Sequence, residues 1–157
     1  MSTIAIIGSG FSGLSAASYL SAAGHQVHVF EKNNTIGGRA RQMTTNNGYI
    51  FDMGPSWYWM PDVFEKFFND FGHTASDFYN LKLLDPSFDV IFENHDKLSV
   101  PPDFDHLCLL FESKEKGSSL QLKKFMIEAS YKYEKAVENL MYKPGISITE
   151  YLDIELI

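Results

Sequence analysis

The chain has 157 residues, 45% of them hydrophobic and 21% charged, and carries a formal net charge of −7. That length suits one domain able to bury a proper core, while the acidic balance and the lack of a basic stripe exclude a nucleic-acid binder. Cys108 is the only cysteine, so no internal disulfide forms, and the absence of a long uninterrupted apolar run or of a positive leader argues against a membrane span and a signal peptide.

The first apolar run, Thr3–Ile7, leads directly into Gly8-x-Gly10-x-x-Gly13, and a second, Gln26–Phe30, ends on Glu31. Strand, glycine turn, helix and strand in this order form a dinucleotide cradle. Gly8 lets the chain turn sharply off a buried strand, Gly10 lets the backbone approach a pyrophosphate, and Gly13 lets the helix lie close to the sheet. The helix N-terminus then offers its amides and positive dipole end to the phosphates. Residues 14–20 are small and apolar enough to lie on a sheet, and Gly24 stands where a helix stop belongs. Glu31, at the tip of the second strand, is placed to accept the hydroxyls of an adenosine ribose, and its charge disfavours a 2′-phosphate and hence NADP.

Six residues on lies Gly37-Gly38-Arg39-Ala40-Arg41, which holds both arginines of the chain. The planar guanidinium suits phosphate because it gives two parallel, permanently charged hydrogen bonds. Arg39 is the expected phosphate contact and Arg41 the expected solvated one. Asn46-Asn47-Gly48 marks a turn, Tyr49-Ile50-Phe51 reads as a short strand, and Gly54-Pro55 breaks it. A strand that ends in glycine is open to close approach by a ligand.

Pro61 and Asp62 suit a first helical turn, after which Phe64, Phe67, Phe68 and Phe71 share one face up to Gly72. Such a stripe is read first as core and second as a wall for a long hydrocarbon or a surface that dips into a membrane; Trp57-Tyr58-Trp59 poses the same choice. Residues 81–84, 89–92 and 98–100 are expected to form a small antiparallel sheet. His106-Leu107-Cys108-Leu109-Leu110 reads as a buried apolar helix, and neither His95 nor His106 has the spacing of a metal ligand. Ser118 and Gln121 resemble a capping box for a helix running through Leu122, Phe125, Ala129, Tyr133, Ala136 and Leu140 to Pro144-Gly145, with Lys123, Lys124, Lys132 and Lys135 on its solvated face. Glu150 is an acid able to face a substrate channel, although a surface role is its default. Residues 151–157 look like a helix in progress without a stop.

The run Gly8 to Gly13, Glu31-Lys32, Gly37-Gly38-Arg39-Ala40 and Phe51-Asp52-Met53-Gly54-Pro55-Ser56-Trp57 resembles the start of the FAD-dependent carotenoid desaturases of the bacterial and fungal phytoene desaturase type. These belong to the two-domain flavoproteins that include the amine oxidases. The resemblance implies an α/β fold: a Rossmann-like FAD-binding beginning in residues 1–60, then the start of an α+β substrate-binding and helical region in residues 61–157, the whole being an N-terminal fragment and an incomplete fold. It further implies that Gly8, Gly10, Phe11, Ser12, Gly13, Glu31, Gly37, Gly38 and Arg39 hold the adenosine and pyrophosphate end of FAD, and that Gly54, Pro55, Ser56 and Trp57 pass the flavin or its ribityl chain. The implied reaction is desaturation of a lipophilic polyene such as phytoene, with no metal and no assigned catalytic side chain, by a cytoplasmic enzyme peripheral to the inner membrane face. Open alternatives are another flavoenzyme of the group, such as an amine oxidase or a carotenoid isomerase, ketolase or saturase, and a non-catalytic truncated product.

Overall fold

A computed structural model describes residues 1–55 and 57–147. The expectations for Ser56, for Glu150 and for the helix at 151–157 lie outside the described residues. By its contacts the chain forms two compact units, residues 1–81 and 82–157.

In the first unit, β1 (Thr3–Ile7), α1 (Phe11–Ala22) and β2 (Gln26–Phe30) form a βαβ unit in which β1 and β2 run parallel, with Ile4 opposite Val27 and Ile6 opposite Val29. All three elements follow the sequence expectation, and Gly24, at φ +84°, supplies the left-handed residue that ends the helix. The side chains of β1 alternate: Ile4 and Ile6 are half-buried, whereas Thr3, Ala5 and Ile7 are exposed. One face of the strand pair is therefore covered and the other is not.

Next, β3 (Gln42–Thr44) and β4 (Ile50–Asp52) pair antiparallel across the Asn46-Asn47-Gly48 turn. The sequence indicated β4 but not β3, whose Gln42-Met43-Thr44 has no apolar alternation and becomes a strand through its partner. Helix α2 (Pro61–Asn69) starts at Pro61 as expected. Its stripe packs on α1: Phe64 meets Phe11 edge-on at 5.5 Å between ring centres, and Phe67 and Phe71 lie 5.9 and 5.0 Å from Tyr19. The Tyr19 hydroxyl also donates to Asp70 at 2.6 Å. Phe68 stacks on Phe78 at 4.6 Å. The stripe is thus packing surface, and α2 groups with the βαβ unit.

The second unit holds the hairpin β5 (Phe88–Ile91) and β6 (Lys97–Val100), then α3 (Phe104–Lys114) and α4 (Ser118–Lys135), which continues through a wider turn at Ala136–Leu140. Residues 81–84 are not a strand: among the described residues no strand pairs with them, and Leu81, Leu83 and Leu84 are exposed. Cys108 is buried within α3 as expected, but the helix around it is not a buried one, since Leu109 is 67% exposed. The capping box expected at Ser118 does not form. Gly117, at φ +87°, is the N-cap, and the Glu112 carboxylate, one helix back, accepts from the amides of Gly117 at 2.8 Å and Ser119 at 3.1 Å. A left-handed glycine makes the turn between the helices so tight that the end of α3 can satisfy the free amides of α4. An open groove of about 650 Å³ runs along α4, lined by Phe104, Met126, Ile127 and Tyr131 with Lys123, Ser130 and Glu134.

Candidate functional site

Two glycine loops interlock at the C-terminal ends of β1 and β2. Gly8, at φ +100°, turns the chain off β1 while its amide still bonds the Phe30 carbonyl at 2.7 Å, so the turn stays registered to β2. Gly10 is the N-cap of α1 and offers no side chain, and no side-chain cap closes that helix start. The amides of Phe11, Ser12 and Gly13 in this first turn are those that a helix leaves without internal partners, which is the arrangement that receives phosphate. Gly13 sits so close to the turn that an added Cβ would stand 2.0 Å from the Gly8 carbonyl oxygen.

The second loop closes onto the first. The Gly37 amide donates to the Ser9 carbonyl at 2.9 Å, and a Cβ on Gly38 would stand 3.0 Å from the Gly10 Cα. Both glycines have positive φ, +105° and +58°, so neither tolerates a side chain without strain. This contact brings Gly37, Gly38 and the turn holding Arg39 beside Gly8 to Gly13. Arg39 is exposed and Arg41 half-buried, and among the described residues neither forms an ion pair. Gly54 joins the same assembly from the end of β4, where a Cβ would lie 1.8 Å from the Arg39 carbonyl oxygen. Close backbone packing therefore accounts for glycine at that position. Beside it, Trp57 is 59% exposed.

Glu31 has a denser environment than the sequence suggested. One carboxylate oxygen, Oε2, accepts from the Ser9 amide at 2.9 Å and from Ser9 Oγ at 2.7 Å; the other, Oε1, accepts from the Asn33 amide at 2.9 Å and from Asn33 Nδ2 at 2.7 Å. The Ser9 amide above all, then the Asn33 amide and the Ser9 hydroxyl, hold the Glu31 pKa down to about 2. Ser9 is itself 2% exposed, a buried polar side chain at the centre of the cradle. Sequence reasoning missed both donors. Ser9 occupies a variable position of the glycine fingerprint, and Asn33 reaches Glu31 through the bend that follows β2. The one available hint was an asparagine two residues from a carboxylate, the spacing of a local side-chain turn.

Behind α1, the hydroxyls of Tyr58 and Tyr79 hydrogen-bond to each other, and Tyr58 lies against Phe64 at 5.0 Å. Burial raises the Tyr58 pKa, and its bond to Tyr79 raises it further. Among the described residues no group of His, Cys, Asp and Glu could hold a metal ion.

A parallel βαβ with an uncapped helix start, a glycine turn and a carboxylate at the tip of β2 defines a Rossmann-type dinucleotide-binding domain. The NAD(P)-binding Rossmann-like domain model matches residues 6–71, a span that takes in both glycine loops and α2. Along most of its length the chain is homologous to carotenoid desaturases. It is 38% identical over 153 residues to the carotenoid 3,4-desaturase of Haloarcula japonica, covering 98% of this chain and 31% of that protein. It is 41% identical over 131 residues to the 4,4′-diapophytoene desaturase (4,4′-diaponeurosporene-forming) of Staphylococcus aureus strain Newman, covering 83% of this chain and 26% of that protein. The chain thus spans less than a third of the length of these relatives. No helix among the described residues is long and apolar enough to cross a membrane.

Proposed function

We propose that this chain is the nucleotide-binding part of an FAD-dependent desaturase acting on a carotenoid precursor such as phytoene. The observation that carries this reading is the interlock of the two glycine loops beside an ionised Glu31, in a chain homologous to carotenoid desaturases. A simple nicotinamide cradle has no need of the second loop, whereas the long diphosphate of a flavin dinucleotide gains donors from Arg39 and from the backbone of Gly37 and Gly38. Gly8, Gly10, Phe11, Ser12 and Gly13 would line the diphosphate from the helix side, and Glu31 would take the adenosine ribose. Gly54, Pro55, Ser56 and Trp57 would run toward the flavin.

When bound, FAD supplies the two-electron acceptor. The protein's share is orientation and exclusion of water around a hydrocarbon that offers no charged group to grip. Exposed aromatic surface at Trp57 and Trp59, 59% and 66% exposed, fits a lipophilic polyene approaching from a membrane surface. Such an enzyme would work at the cytoplasmic face of the membrane.

The test is the flavin content of the purified full-length gene product. Glu31→Ala and Arg39→Ala are each expected to lose FAD while Arg41→Ala keeps most of it. Undiminished flavin in the first two, or binding of NAD⁺ with no binding of FAD, refutes the assignment.

A further inference from the structure

An ionised carboxylate has about four lone-pair positions for hydrogen-bond donors, and all of those of Glu31 are taken from within the chain. As it stands, the residue assigned to the ribose has no position left for a ribose hydroxyl. One of the four donors must therefore leave when a nucleotide enters. The two backbone amides are fixed, that of Ser9 by the turn after Gly8 and that of Asn33 by the turn after β2. Ser9 Oγ is confined as well, because Ser9 is 2% exposed and its carbonyl is tied to the Gly37 amide at 2.9 Å. The Asn33 side chain is different: it is half-exposed, and its 2.7 Å bond to Oε1 is the one tie that a rotation about its own side-chain torsions would release into water.

We propose that the Asn33 amide is a placeholder for a ribose hydroxyl, bonded to Oε1 until the nucleotide arrives and then swinging out. The inference rests on the reading of Glu31 as the ribose acceptor. Its consequence is a selectivity filter. A ligand that brings no ribose hydroxyl gains nothing in exchange for breaking the Asn33 bond, whereas a ribose replaces that bond with one of the same kind.

The experiment uses the full-length gene product stripped of flavin and titrated with FAD and with ADP. A placeholder competes with the ligand, so Asn33→Ala should bind both about three- to ten-fold more tightly, on the order of one lost competing hydrogen bond. Ser9→Ala, which removes a donor that stays, should bind them more weakly. A second measurement holds even where Asn33→Ala does not fold: in the wild-type protein the Asn33 side-chain amide resonance should move to its solvent-exposed position on addition of ADP. Weaker or unchanged binding by a folded Asn33→Ala, or an Asn33 resonance that ADP leaves in place, overturns the proposal while leaving the site assignment standing. Failure of the wild-type protein to bind either nucleotide overturns the site assignment, and the proposal falls with it.

Discussion

Replacing Gly13 by alanine isolates what the cradle requires of its geometry. Gly13 lies in the first turn of α1 without positive φ, so the alanine backbone is unstrained, and in an open helix the change would stabilise by up to about 1 kcal/mol. The surroundings reverse that sign. A Cβ at Gly13 would sit 2.0 Å from the Gly8 carbonyl oxygen, 3.1 Å from its carbonyl carbon and 3.5 Å from Ile6 Cγ2, where real Cβ atoms essentially never approach within 3.0 Å. The helix and the Gly8 turn must therefore separate by about 1 Å against close-packed backbone, and overpacking of this kind costs about 1–3 kcal/mol. The expected net effect is a loss of up to about 2 kcal/mol in urea unfolding, together with loss of dinucleotide binding, because the amides that receive phosphate move with the turn. Gly24 is the control. Nothing lies within 4 Å of its added Cβ, but its φ is +84°, so alanine there costs about 1–2 kcal/mol through conformation alone and asparagine, which tolerates the left-handed region, recovers most of it. Gly13→Ala with undiminished stability and unchanged nucleotide affinity would refute the reasoning.

Two further outcomes follow from the charged groups. Glu31 has its folded pKa depressed from 4.5 to about 2, so the unfolded chain binds more protons between those values; the stabilisation is complete above about pH 4.5 and is lost as pH falls toward 2. Acid titration of unfolding and of flavin retention should show that decline in the wild type and not in Glu31→Gln, and identical profiles would contradict the Glu31 network. Glu112, its pKa lowered by the Gly117 amide first and the Ser119 amide second, is predicted to hold the start of α4. In Glu112→Ala the Gly117 and Ser119 amides should exchange hydrogen faster than in the wild type, and unchanged exchange would show that the cap does not restrain the helix.

The elements legible in the sequence are those whose cause is local. β1, α1 and β2 are written in two apolar runs, a helix of small residues and the glycines that punctuate them, and the partner of each strand lies just across the intervening helix. The failures share the opposite origin. Residues 81–84 have the composition of a strand but find no partner among the described residues, while Gln42–Thr44 has little strand character and becomes one because Ile50–Asp52 lies opposite. Ser118 and Gln121 have the spacing of a capping box, yet the left-handed Gly117 turns the chain so that Glu112 takes that role. Gly54 read as an opening for a ligand, and its close approach to the Arg39 carbonyl shows a second, purely steric reason for glycine there.

The two glycine loops are tied to each other and to the tip of β2 by hydrogen bonds. Parallel strands normally have both faces covered; Ile7 and Phe30, at the ends of β1 and β2, are exposed in a chain that spans less than a third of the length of its relatives. The ties between the loops converge on Ser9. Its amide and hydroxyl both bind Glu31 and its carbonyl receives the Gly37 amide, so one residue ties the first glycine turn to the tip of β2 and to the second glycine loop. A hydrogen-bonded hub suits a phosphate site, where glycines must leave the space that a packed side chain would fill, and it explains why a serine, alone among polar residues in the described chain, is buried at that point.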